Sequence, residues 1–221
     1  MEINTKKAYE ILMNGKNINP TGTWVEHSIR VGQAAERIAK KIGIDSDKAA
    51  AMGYLHDIGK IYGEPYSQHI VKGYEYLKSM GISDEYANIC LTHSYLNNDI
   101  NCTAGGIPDK DSYKYQFRKD FIENHQYNIY DKITYKYQFR KDFIENHQYN
   151  IYDKIIECCD LFCTAKFMTM DERLIEIMLR KGAHDNTVYH ITYAQKLKKE
   201  LEEKMGCNLY SLFPEIIKKF K

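Results

Sequence analysis

From Trp24 to Ile42 the apolar residues Trp24, Val31, Ala35, Ile38 and Ile42 return at spacings of three, four or seven, and Gly43 closes the run. A helical turn takes about 3.6 residues, so this spacing places all five on one face of an α-helix. Similar patterns recur along the chain, while the alternating runs that a half-buried strand needs are short. The predicted fold class is therefore all-α. Further helices are predicted over 6–13, stopped near Gly15, and over 46–55 with Ser46 as N-cap. Others are predicted over 68–80 with Gly81 as the stop, and from Ser83 to about His93. Beyond a loop at 97–112, helices are predicted over 152–166, 171–180 and 187–205, and a last one carries Pro214 in its first turn.

At 221 residues the chain suits a single domain over 1–221, with a core at about 20–170 and a C-terminal helical extension at 171–221. A formal charge of +1 argues against a module that holds nucleic acid by bulk positive charge, so no specific nucleic-acid partner is expected. No apolar run approaches the roughly 18 to 20 residues that cross a bilayer. The first residues lack the apolar core of a signal peptide. The six cysteines are scattered, without Cys-x-x-Cys pairing, and Cys158, Cys159 and Cys163 sit in an apolar helical stretch as small hydrophobes. A reduced, cytoplasmic location with no membrane association is the expectation.

One segment is duplicated. The stretch YKYQFRKDFIENHQYNIYDKI at 113–133 recurs letter for letter at 135–155, a shift of 22 residues. Two copies are too few for a solenoid. A tandem duplication fits better, with one copy as tolerated surface, since longer loops cost little. His125 and His147 occupy the same polar Glu-Asn-His-Gln context in each copy and are expected to be solvated.

The chemistry-bearing residues begin with His56-Asp57-Ile58-Gly59-Lys60 at the end of an apolar helix. An adjacent imidazole and carboxylate offer nitrogen and oxygen ligands to one divalent ion. Gly59 permits close approach of backbone or substrate, and Lys60, one turn on from His56, is placed to hold a phosphate oxygen. His27 shares an inward face with Trp24, Val31, Ala34 and Ile38, where a lone histidine reads as a satisfied core residue. Asp160 shares a face with Ile156 and Cys163, so its carboxylate needs an ion-pair partner or a metal. His69 and His93 lie on predicted helices after the motif, and each reads equally as a surface histidine or a ligand.

Taken in order, His27, His56-Asp57, His69, His93 and Asp160 resemble the framework of the HD superfamily of metal-dependent phosphohydrolases. His56-Asp57-Ile58-Gly59 is similar to the HDIG form of its motif, and the resemblance covers about residues 20–170. It implies an all-α HD-domain bundle with the metal site at its centre and a first divalent ion held by His27, His56, Asp57 and Asp160. Members with two further histidines, matching His69 and His93, carry a second ion bridged by the residue matching Asp57. That subset includes diadenosine tetraphosphate hydrolases, which the spacing from His56 to His93 resembles. The implied cofactors are one or two divalent ions, drawn from Fe, Mn, Mg, Co or Zn.

The implied reaction is hydrolysis of a phosphate ester or anhydride, a nucleotide by family analogy. A metal ion lowers the pKa of bound water so that hydroxide attacks phosphorus, while Lys60 and the metals offset the spreading charge. Asp57 and Lys60 are the catalytic candidates, and Lys60 and Arg30 the substrate-binding ones. Two other classes stay open: a di-iron oxygenase on the same ligands, and a non-catalytic metal or nucleotide sensor with a tyrosine-rich surface, given 19 tyrosines. Shifting Asp160 back by one repeat lands on Gln138, so only the second copy leads into that carboxylate.

Overall fold

The computed structural model describes residues 1–63, 68–96, 142–183 and 187–218. The predicted loop at 97–112 and the first repeat copy with His125 lie outside the described residues. The described chain is helical throughout, with α1 (Thr5–Ile18), α2 (Trp24–Ile42), α3 (Ser46–Leu55), a 3-10 turn (Ile58–Tyr62) and α4 (Gln68–Ser79). There follow α5 (Asp84–Ala87), α6 (Ile89–Thr92), α7 (Ile151–Asp160), α8 (Met170–Lys181), α9 (Thr187–Met205), a second 3-10 turn (Leu209–Leu212) and α10 (Pro214–Ile217). No strand occurs among the described residues; one isolated bridge joins Cys163 to Phe167. The all-α expectation holds.

Local chemistry explains most ends. Gly43, at φ 87°, closes α2 in the left-handed conformation that only glycine adopts without strain. Asn150 and Asp153 form a reciprocal capping box at α7, and Thr169 and Glu172 form another at α8. Four elements differ from the prediction, and one of them is the helix expected from Ser83 to about His93, which breaks at Asn88 into α5 and α6. Asp45, not Ser46, caps α3, because its carboxylate accepts from the Lys48 amide. Gly15 does not stop α1: a Cβ there would lie 2.9 Å from Ile61 Cγ2, so this glycine serves close packing. The predicted helix at 152–166 ends at Asp160, and the chain turns so that Phe162 and Phe167 reach Phe213, with ring centroids 5.0 and 5.1 Å away.

The core gathers around α2, which packs against α3, α7 and α9. Helices α2 and α3 touch backbone to backbone: a Cβ on Gly53 would sit 2.6 Å from Gly32 Cα. Residues from the stretch set apart in the sequence as an extension, Leu201, Met205, Leu209, Phe213 and Ile216, join the same apolar cluster as Ile11, Val31 and Leu55. Arg37 of α2 ties that stretch down, donating to both Glu215 carboxylate oxygens at 2.8 and 3.0 Å and stacking over Phe167 and Phe213. A smaller cluster of Ile70, Val71, Leu91, Tyr95 and Ile144 fastens the second repeat copy to α4 and α6.

Candidate metal centre

Six elements deliver one site. His27 comes from the buried face of α2. His56 caps the C-terminus of α3, and Asp57 opens the 3-10 turn that follows. In a continuous α-helix, successive side chains point about 100° apart. At Asp57 the backbone leaves helical geometry, at φ −104° and ψ 12°, and the two neighbours, 0% and 2% exposed, are both buried. His69 lies in the first turn of α4, and Gly59 makes its approach possible: a Cβ on Gly59 would fall 1.9 Å from the His69 carbonyl oxygen. His93 caps α6, and Asp160 ends α7.

These side chains converge. His27 Nε2 stands 3.1 Å from His56 Nε2 and 2.9 Å from Asp160 Oδ1. Asp57 divides its two oxygens between two histidine pairs. Its Oδ2 lies 3.7 Å from His27 Nε2 and 3.6 Å from His56 Nε2. Its Oδ1 lies 3.2 Å from His69 Nε2 and 3.6 Å from His93 Nε2. Two groups with metal-ligand geometry result, His27-His56-Asp57 and Asp57-His69-His93, with Asp57 common to both.

Protonation fits that use. His56 Nδ1 pairs with the Gly53 carbonyl at 2.7 Å and His93 Nδ1 with the Ile89 carbonyl at 3.0 Å. Each Nδ1 therefore carries the proton, and each Nε2 lone pair is directed inward. Burial pushes the His56 imidazole from its usual 6.5 down to about 3 and lowers His69 as well, so both rings stay neutral at pH 7. Burial alone would raise Asp57 and Asp160. For Asp57, Lys60 and the surrounding histidines outweigh it; for Asp160, the His27 contact does. Neutral imidazole nitrogens facing each other across a buried carboxylate form a donor set that suits a divalent cation.

Lys60 is engaged at the site, its ammonium on Asp57 Oδ2. Arg30 lies one turn beyond His27 but turns to the chain after α7, donating from Nε to the Ala165 carbonyl at 3.4 Å and stacking over Phe167. His147, expected to be solvated, is instead 3.1 Å from Asp153 Oδ2 and stacks on Phe143, because its copy of the repeat packs into the protein. Two carboxylates escaped the sequence argument. Asp153, Glu157 and Asp160 fall at i, i+4 and i+7, a spacing that already puts three acids on one face of α7. Glu157 is 2% exposed, and its Oε1 has no hydrogen-bond partner among the described residues. Burial, then Asp153 and Asp160, raise its acid well above the usual range. Cys90, Cys158, Cys159 and Cys163 are buried free thiols, with burial raising all four away from reactivity.

Among known proteins, the family model described as HD domain matches residues 24–152. The chain is 38% identical to Ribonuclease Y of Fervidobacterium nodosum over 87 residues, 39% of this chain and 17% of that protein. It is 40% identical to Ribonuclease Y of Thermosipho melanesiensis over 70 residues, 31% of this chain and 14% of that protein. With Ribonuclease Y of Ureaplasma parvum serovar 3 the identity is 39% over 70 residues, 31% of this chain and 15% of that protein. The chain thus spans less than a fifth of these relatives, at 17%, 14% and 15% of their lengths. No solved structure matches significantly. No helix among the described residues is long and apolar enough to cross a membrane.

Proposed function

The chain belongs to the HD-domain family, and from that premise we propose that it is a metal-dependent phosphohydrolase that cleaves a phosphate ester or anhydride of a nucleotide. The observation that carries this reading is the division of Asp57, one oxygen toward His27 and His56 and the other toward His69 and His93. One carboxylate between two imidazole pairs would hold two cations side by side. His27, His56, Asp57 and Asp160 would hold the first, and Asp57, His69 and His93 the second. Bound there, divalent ions supply Lewis acidity and a nucleophile drawn from water at neutral pH.

The chain's own residues do the rest. His56 and His93 keep their lone pairs aimed by spending the other ring nitrogen on backbone carbonyls. Lys60, 36% exposed along its side chain, lies between the Asp57 carboxylate and the outside, where its ammonium meets a phosphate oxygen. Arg30 is held on the Ala165 carbonyl and over Phe167, so no substrate phosphate is assigned to it. A second reading is favoured by the relatives named Ribonuclease Y: the scissile bond is an RNA phosphodiester. The chemistry at phosphorus is the same, and only the leaving group differs.

The test is product release by the purified chain with Mn, Co or Fe. The panel holds nucleoside monophosphates, a dinucleoside polyphosphate and a short RNA. Release from a nucleotide supports the first reading, and cleavage of the RNA alone supports the second. Metal binding without turnover of any of them, or dioxygen uptake instead, would remove the hydrolase.

A further inference from the structure

The second metal position depends on a piece of the repeat. His93 follows Thr92, the last residue of α6, a helix of only 4 residues that begins after a break at Asn88. So short a helix cannot hold its own geometry, since nucleation costs more than one turn returns. The ring of His93 is steadied by the Ile89 carbonyl, but that bond lies inside the same short turn. Something outside α6 must fix the backbone from which His93 projects.

Thr92 is held from two directions. Its hydroxyl donates to Asp153 Oδ1 at 2.8 Å, and its carbonyl accepts from the Tyr149 hydroxyl at 2.8 Å. Thr92 is 0% and Asp153 4% exposed, so the bond between them is not shared with bulk water. Asp153 is itself immobilised. Its Oδ2 accepts from the Asn150 amide at 2.9 Å and lies 3.1 Å from His147 Nε2. His147 stacks on Phe143, with centroids 4.9 Å apart, and the neighbouring Ile144 is fully buried between α4 and α6. Capping α7 needs only one Asp153 oxygen, and the other is committed to Thr92.

We propose that Asp153 and Tyr149 are positioning residues for the second metal position, gripping Thr92 by its hydroxyl and its carbonyl so that His93 keeps its Nε2 toward Asp57. This rests on the two-cation reading above. Neither residue touches the metal position or the substrate; they act through Thr92. Partners that bond a ligand directly typically change metal affinity by about 10- to 100-fold when removed, and these two act one residue further back, so the lower end of that range applies.

The experiment is a calorimetric Mn titration of the full chain, metal-free at the start, with thermal unfolding measured in parallel. The variants are Tyr149→Phe, which keeps the ring, Thr92→Val, which keeps the shape without the hydroxyl, and Thr92→Ser, which keeps the hydroxyl. Wild type should bind two ions. Tyr149→Phe and Thr92→Val should each weaken one of the two by about tenfold and leave the other within about twofold. Thr92→Ser should match wild type. Two ions in wild type, with both constants unchanged in Tyr149→Phe and Thr92→Val while the unfolding temperature falls, would mean the contacts are merely structural and overturn the proposal. One ion in wild type would instead overturn the two-cation reading, and the positioning role with it.

Discussion

In the proposed reaction Asp57 would concentrate the chemistry of the site in two oxygen atoms. Replacing it with alanine removes the carboxylate between four imidazoles, so Asp57→Ala should lose turnover while staying helical by circular dichroism. A folded variant with bound metal and near wild-type hydrolysis would contradict the site as drawn. His69→Ala or His93→Ala should reduce metal content from about two ions per chain to about one, read by elemental analysis. The histidines also set a pH dependence. His56 titrates at about 3 in the fold against its usual 6.5, so the unfolded chain binds more protons between those values. The stability gained by keeping His56 neutral is complete above pH 6.5 and is lost as pH falls from 6.5 toward 3. Chelator-treated protein should therefore show a falling unfolding temperature below pH 6.5, and a shallower fall in His56→Gln. Identical slopes in the two proteins would show that His56 is not the linked group.

Between elements, glycines decide what meets what. Gly59 was marked in the sequence for close approach, and the structure supplies the partner, the backbone of α4 at His69 and Gly73. Gly59→Ala should push α4 away, costing about 1–3 kcal/mol in denaturant unfolding, and should loosen the His69 side of the site. Stability and metal content equal to wild type would show that α4 can shift freely. The repeat is also decided at this scale. If the first copy occupied the place of the second, Thr134, Tyr135, Lys136, Tyr137 and Gln138 would stand where Ile156, Glu157, Cys158, Cys159 and Asp160 now stand. Ile156, Cys158 and Cys159 are fully buried, so a lysine in their midst would be costly. The residues after the repeat thus select the second copy, although the first carries the same His125, Tyr127 and Asp131. Deleting 113–134 should leave cooperative unfolding and activity in place. Loss of the cooperative transition would assign the first copy to the core.

Across the whole molecule, the site ties α2, α3, α4, α6 and α7 together, so a cation bound there would favour the native state, where these residues converge, and stabilise it. Chelation should lower the unfolding temperature and Mn should restore it; an unchanged temperature would mean that no ion sits among these residues. The helices and their buried faces were legible in the sequence because both are local, written in a 3.6-residue spacing and in caps such as Gly43. The inward aspect of His27 was readable for the same reason. The partners were not, because they depend on residues far apart in the chain. That Asp57 gives one oxygen to each histidine pair follows from the backbone leaving helical geometry at Asp57 and from Gly59 admitting α4. That His147 is held by Asp153, rather than solvated, follows from Ile144 burying its segment between α4 and α6. Sequence determined most of the buried apolar faces and which residues are candidates for a metal, but not the burial of Asp153 and Glu157 or the packing of His147. Only the packing of helices distant along the chain decided which of them meet, since side-chain direction across an interface depends on both partners at once.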